Sequence, residues 1–203
     1  MPETPFVSRA GLKLEHALIE FNFDVTDLTC ADLGCNVGGF TDCLLQRGAS
    51  QVFAVDTSYG TLAWKLRSDE RVATLERTNA LHVDPPKHVD LVVIDLGWTP
   101  QKLALPAGIK WTDCGHIITL IKPHYELTKQ EKQEEHVGEG LSVDAVSRVI
   151  SRVKLLCQDL SLEILGETLS PIRGKKSSQK GVGNSEYLML LKTPPEVPLE
   201  YTS

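Results

Sequence analysis

The sequence predicts an α/β fold, a doubly wound and mostly parallel sheet of about seven strands with an antiparallel terminal strand. Three observations predict it. Short apolar strand patterns alternate with helical patterns along most of the chain, as in parallel βαβ units covered on both faces. The first strand pattern runs into a glycine-rich turn, DLGCNVGGF, of the kind that links a strand to a helix beside a ligand. The last two strand patterns are joined by a loop instead of a helix, which suits an antiparallel pair.

Taken in order, SRAGLKLEHALIEF places Leu14, Ala17, Leu18 and Phe21 at helical spacing, with Ser8 as N-cap, so a helix is expected over 8–21. LTCADLG is a strand closing in Gly34, and GGFTDCLLQRGA a helix that starts near Gly39 and stops at Gly48. QVFAVD is a strand ending in Asp56, and TLAWKLRSD a further helix. RVATLE and VDLVVID are strands, with Pro85 and Pro86 breaking the chain between them. TPQKLALPAG reads as a short helical turn, CGHIITLIK as a strand, and ELTKQEKQEEHVGEG as a polar linker or lid over the sheet's carboxyl edge. SVDAVSRVISRVKLLCQDL is a long amphipathic helix. LSLEILGETLS and SEYLMLLKT are the closing strands, joined by a basic Gly/Ser-rich loop.

The 203 residues suit one α/β domain, over 1–193, followed by a loose Pro-rich tail over 194–203. A hydrophobic share of 41% and a charged share of 24% belong to a chain with a real core. No apolar run approaches the roughly 20 residues of a membrane span, and MPETPFVSRAG has no signal-peptide core. Cys30, Cys35, Cys43, Cys114 and Cys157 form no CxxC pair or metal spacing, so reduced core or near-core thiols, a cytoplasmic setting and no metal are expected. A net charge of −6 argues against a broadly basic nucleic-acid face, and neither DNA nor a membrane is an expected partner. One stretch runs against that balance: SPIRGKKSSQKGVGN carries Arg173, Lys175, Lys176 and Lys180 without an acid. A solvated loop is its plainest reading.

Ligands of doubly wound sheets sit at the carboxyl ends of the strands. At the first turn, Asp32, Gly34, Gly38, Gly39 and Phe40 allow a sharp bend, close backbone approach and free helix N–H groups. The spacing G-x-x-x-G-G is not the G-x-G-x-x-G of dinucleotide enzymes. Asp56, ending the second strand, can accept hydrogen bonds from both ribose hydroxyls of an adenosine. Asn79, ending the third strand, reads equally as an adenine contact or a turn-forming Asn. This arrangement resembles the S-adenosylmethionine site of Rossmann-like methyltransferases. Charges also close two further strands, Asp95 and Lys122, while Glu186 opens the last one. Unpaired buried charges cost several kcal/mol, so the three should face one another across a cleft.

The ordered motifs VSRAGLKLEHAL, DLGCNVGGFTDCLLQRGA, VFAVDTSYGTLAWKLRSDERV, LERTN, LIKPHYE, LSPIRGKK and NSEYLMLL resemble the hemolysin-A/TlyA-like proteins of the FtsJ group of RNA ribose 2′-O-methyltransferases. The resemblance implies a class I methyltransferase fold, S-adenosylmethionine as cofactor, structured RNA such as ribosomal RNA as substrate, and a Lys-Asp-Lys-Glu catalytic set. Lys13, Asp95, Lys122 and Glu186 take those four places. Lys122 is expected to steer and deprotonate the 2′-hydroxyl, Asp95 to position Lys122 and the methyl end of the cofactor, and Lys13 with Glu186 to fix the ribose. A lysine amine, with an ordinary pKa of about 10.4, acts as a base near neutrality only where burial and neighbouring cations lower that value.

The chain departs from the family in starting directly at the methyltransferase part, which leaves RNA recognition to the Arg173–Lys180 loop, a partner or an assembled ribosomal particle. Ala10, in RAGLKL, stands where the family has glycine. DLGW stands where Asp-Val-Ser is expected, so Gly97 and Trp98 reshape the wall beside Asp95; Trp98 either stacks on a base or fills the core. A methyltransferase acting on a non-RNA substrate and a cofactor-binding scaffold without catalysis are the competing functions.

Overall fold

A computed structural model describes residues 4–135, 140–174 and 184–194. Among these, seven strands form one sheet: β1 (Thr29–Leu33), β2 (Gln51–Val55), β3 (Val72–Leu75), β4 (Leu91–Ile94), β5 (His116–Ile121), β6 (Glu163–Leu169) and β7 (Tyr187–Lys192), in the order β3-β2-β1-β4-β5-β7-β6. Strands β1 to β5 pair in parallel. The last strand does not close the edge. β7 slots between β5 and β6 and runs antiparallel to both.

Because the parallel strands are covered on two sides, successive residues feed two cores. In β2, Val52 and Ala54 join Leu14, Leu18, Phe40 and Leu44 of α1 (Ala10–Glu20) and α2 (Gly39–Gln46) on one face. Phe53 and Val55 join Leu105 and Trp111, together with Val149 and Val153, on the other. These last come from α4 (Gln101–Ile109), the turn after it, and α7 (Val143–Asp159). Each fully buried Leu or Val of these layers stabilises the fold by about 1.5–3 kcal/mol relative to exposure. Helix α7 shows the pattern most clearly: it buries Ala145, Val149, Ile150, Val153 and Cys157, and the Ser142 hydroxyl accepts a cap bond from the Ala145 N–H at 3.1 Å.

Helix α1 spans Ala10–Glu20, but Arg9 is already helical and the Ser8 Oγ accepts the Ala10 N–H at 3.3 Å, so Ser8 caps the helix start as expected, one residue earlier than that boundary implies. Several local expectations are corrected. TLAWKLRSD yields only the single turn α3 (Trp64–Arg67). TPQKLALPAG forms the nine-residue α4 despite Pro106, because burial of Ala104, Leu105, Ala107 and Gly108 outweighs the hydrogen bond proline removes. The single turn α5 (Pro123–Glu126) follows β5, and the polar stretch expected as a linker contains α6 (Lys129–Glu134). α6 is set by a capping box, with Thr128 and Glu131 each bonding the other's backbone N–H. Arg152 of α7 ties it down through Glu131 and the Glu126 carbonyl. Cys114 is exposed, not a core thiol. The expected tail beyond Pro194 lies outside the described residues. No helix among those described is long and apolar enough to cross a membrane.

Registry sets the ends level. Leu33 pairs with both Val55 and Ile94, so Gly34, Asp56 and Asp95 leave the sheet together. Thr119 pairs with Ile94, so β5 runs on past β4 and carries Lys122 out over Asp95. The antiparallel pairing of Ile121 with Tyr187 brings Glu186 to that same edge.

Candidate active site

Along this edge lies a cavity of about 800 Å³, bordered by the turns after β1, β2, β4 and β5, the approach to β7 and the start of α1. All eleven cofactor and catalytic residues expected from the sequence, apart from Gly38, line it.

At one end the backbone turn dominates. Gly34 has φ +94°, and a Cβ there would stand 2.7 Å from the Asp95 carbonyl oxygen, so no side chain fits between β1 and β4. Gly38, with φ +100°, caps α2. Gly39 serves packing as well as the cavity: a Cβ would stand 2.3 Å from the Ser8 Oγ, so its bareness lets the start of α1 sit on α2. Phe40 is 2% exposed and belongs to the core beneath. Asp56 already accepts the Asn36 and Ser58 backbone N–H groups, each at 2.8 Å, one on each carboxylate oxygen. A carboxylate oxygen has a second lone pair, so both remain able to accept a ribose hydroxyl. Asn79 uses its side-chain oxygen to accept the Leu81 N–H at 2.9 Å, which makes it a turn-former that also borders the cavity.

Asp32 is the unusual acid. Its Oδ2 accepts both the N–H and the hydroxyl of Thr41, at 2.9 and 2.7 Å, whereas its buried Oδ1 has no partner. Burial first, then the Asp95 and Asp56 carboxylates, push its pKa up to about 7 against the Thr41 hydrogen bonds. Native proteins seldom leave a buried polar atom unpaired, and such an atom in a cavity wall fits a ligand carrying a donor or a positive charge.

At the other end two ion pairs face the cavity. Lys13 on α1 donates to Glu186 at 2.5 Å, with side chains 11% and 4% exposed. Lys122 donates to Asp95, with side chains 13% and 17% exposed, and lies 3.5 Å from the Leu96 carbonyl. Beside them Trp98, held at φ +61°, is 84% exposed, so it does not fill the core. Its ring lies 5.0 Å from that of Tyr125, and the Tyr125 ring 4.0 Å from that of His124. Arg173 borders the cavity, while Lys175, Lys176 and Lys180 lie outside the described residues.

The sequence motifs missed the two walls. Ser8, Asn36 and Ser58 line the cofactor end, and His124 and Tyr125 the other. Asn36 had a signal, since it lies within the glycine turn between Gly34 and Gly38; His124 and Tyr125 had one only in KPHYE following a strand end.

The whole arrangement can hold an extended ligand between an acid-bearing glycine turn and a pair of lysines, beside the exposed ring of Trp98. Residues 6–187 match the model of the FtsJ-like methyltransferase family. The 16S/23S rRNA (cytidine-2′-O)-methyltransferase TlyA of Mycobacterium tuberculosis is 39% identical over 199 residues, covering 94% of this chain and 70% of that protein. A solved structure of a hemolysin candidate from Streptococcus thermophilus is 34% identical, with a TM-score of 0.84 over 97% of this chain and 72% of that one. The N-methyltransferase NodS of Bradyrhizobium japonicum, solved with S-adenosyl-L-homocysteine, is 13% identical with a TM-score of 0.57 over 90% and 88% of the two chains, a likeness of fold alone.

Proposed function

The chain belongs to the FtsJ-like methyltransferase family, and on that premise we propose that it methylates a ribose 2′-hydroxyl of ribosomal or other structured RNA. Bound S-adenosylmethionine supplies an electrophilic methyl group. The glycine turn, Asp56 and Asn79 suit its adenosine, and the orphaned Oδ1 of Asp32 suits a positive group on its amino-acid portion.

One observation carries the assignment of the acceptor side: two Lys–carboxylate pairs, from four separate parts of the chain, meet on one cavity wall. In the proposed step the 2′-hydroxyl lies against Lys122 in line with the methyl group. Lys122 would orient that hydroxyl and take its proton as the oxygen takes the methyl group, with the electron pair of the S–C bond left on sulfur. Asp95 holds Lys122 in place, so the main contribution of these side chains is alignment plus proton removal. Lys13 and Glu186 fix the ribose. Trp98 offers an open ring face to a base.

Arg173 and Lys175, Lys176 and Lys180 would contact phosphates beyond the cavity. With a net charge of −6, phosphate contacts of this chain alone give weak RNA affinity, which favours an assembled ribosomal particle, in the cytoplasm, as the working substrate. Residues 1–193 would act as one unit.

The deciding experiment is transfer of labelled methyl to isolated ribosomal subunits and to naked ribosomal RNA, with Lys122→Ala alongside. The expected result is label in a ribose 2′-O position, lost about 100-fold or more in the variant while cofactor affinity persists. Incorporation without RNA, or an unchanged rate in Lys122→Ala, would overturn it.

A further inference from the structure

One imidazole beside Lys122 buries a ring nitrogen that makes no hydrogen bond among the described residues. His124 lies in the first turn of α5, directly after Pro123, and borders the cavity. Its Nδ1 is sealed from solvent without a hydrogen bond, and its ring packs on Tyr125, which packs on Trp98.

The proton's place follows from the burial. A sealed N–H with no acceptor is rarer in folded proteins than a sealed acceptor with no donor, which puts the hydrogen on Nε2. Burial first, then Lys122 and Lys132, push the His124 pKa down to about 4, so the ring stays neutral at physiological pH. The side chain thus brings one N–H donor and no charge to the wall that holds Lys122.

We infer that His124 reads the substrate: through Nε2–H it donates a hydrogen bond to the nucleotide that offers its 2′-hydroxyl to Lys122. This rests on the RNA ribose reading above. The place favours it, since Pro123 alone separates the two residues and starts the rigid turn that carries the ring. The neighbours favour it as well: exposed Trp98 packs on Tyr125, which packs on His124, so the imidazole lies one ring away from a face open to a base. Neutrality matters because a second cation at this wall would repel Lys122.

Two measurements test it. In methyl transfer to 30S and 50S ribosomal subunits at saturating cofactor, His124→Phe should raise KM for the subunit about three- to tenfold, the weight of one neutral hydrogen bond. Its kcat should stay within about twofold, and His124→Gln, which keeps a neutral N–H donor, should restore KM. In long-range ¹⁵N–¹H imidazole spectra, the free protein should show the Nε2–H tautomer. That resonance should shift when cytidine monophosphate is added to protein saturated with S-adenosylhomocysteine. An Nδ1–H tautomer, an unchanged KM in His124→Phe, or failure of His124→Gln to restore it overturns the inference. If the wild-type protein methylates neither subunit, the ribose reading falls too, which separates that failure from the failure of His124 alone.

Discussion

Lys13 and Glu186, 173 positions apart in the chain, meet in a 2.5 Å ion pair that is almost sealed from water. Removing one partner leaves a buried charge without compensation, which typically costs about 3–5 kcal/mol. Lys13→Met and Glu186→Met should therefore each destabilise the protein by about that much, and the double variant should recover most of the loss while remaining inactive. Urea unfolding of the three variants checks this. Additive losses in the double variant would mean that the pair contributes no coupling.

A second prediction concerns pH. The pKa of Asp32 rises on folding, so the folded protein holds this proton more tightly than the unfolded chain does. Its contribution is fully present below the unfolded carboxyl value and is lost as pH rises toward about 7, with a slope of at most about 1.4 kcal/mol per pH unit. Asp32→Asn, which keeps an oxygen for the Thr41 bonds, should lack that loss. Measured without cofactor, the variant should gain on the wild type between pH 5 and pH 8; parallel stability curves would show Asp32 ionised throughout.

Gly34→Ala must place a methyl group against the Asp95 carbonyl at positive φ. The expected cost is about 1–3 kcal/mol of stability, with cofactor affinity reduced at least about tenfold. Calorimetric titration with S-adenosylhomocysteine reads the second quantity. Unaltered affinity would show that the turn is not where the cofactor lies.

Trp98 touches little besides Tyr125, so Trp98→Ala should leave the melting temperature within about 2 °C of the wild type. Loss of a stacked base costs about 1–3 kcal/mol, so KM for the ribosomal substrate should rise about fivefold or more. Retained KM would assign the exposed ring to something other than RNA.

Most of the frame was legible because the central strands of this sheet are short apolar runs with their chemistry at the end. Asp56, Asp95 and Lys122 stand out for that reason: a charge that follows an apolar run has to leave the sheet somewhere. Lys13 was not legible this way, because it sits inside an amphipathic helix, and only the family resemblance marked it. Helix α4 was under-read because Pro106 outweighs its neighbours in sequence but not in a packed layer. Helix α6 was under-read because a polar face hid its capping box. Trp98 stood out beside Asp95, but its pairing with Tyr125 of α5 did not, since only the fold brings the two together.

The insertion of β7 between β5 and β6 gives the chain a schedule. A nascent polypeptide that has emerged through α7 already owns the glycine turn, Asp56, and Lys122 against Asp95, yet β5 still has an open flank and Lys13 has no acid to meet. Only when β7 arrives does the sheet lose that gap and Glu186 reach its lysine. Docking of β7 is therefore the step that completes the reactive end, and without that strand the chain would keep its glycine turn and Lys122 against Asp95 but leave Lys13 without its acid.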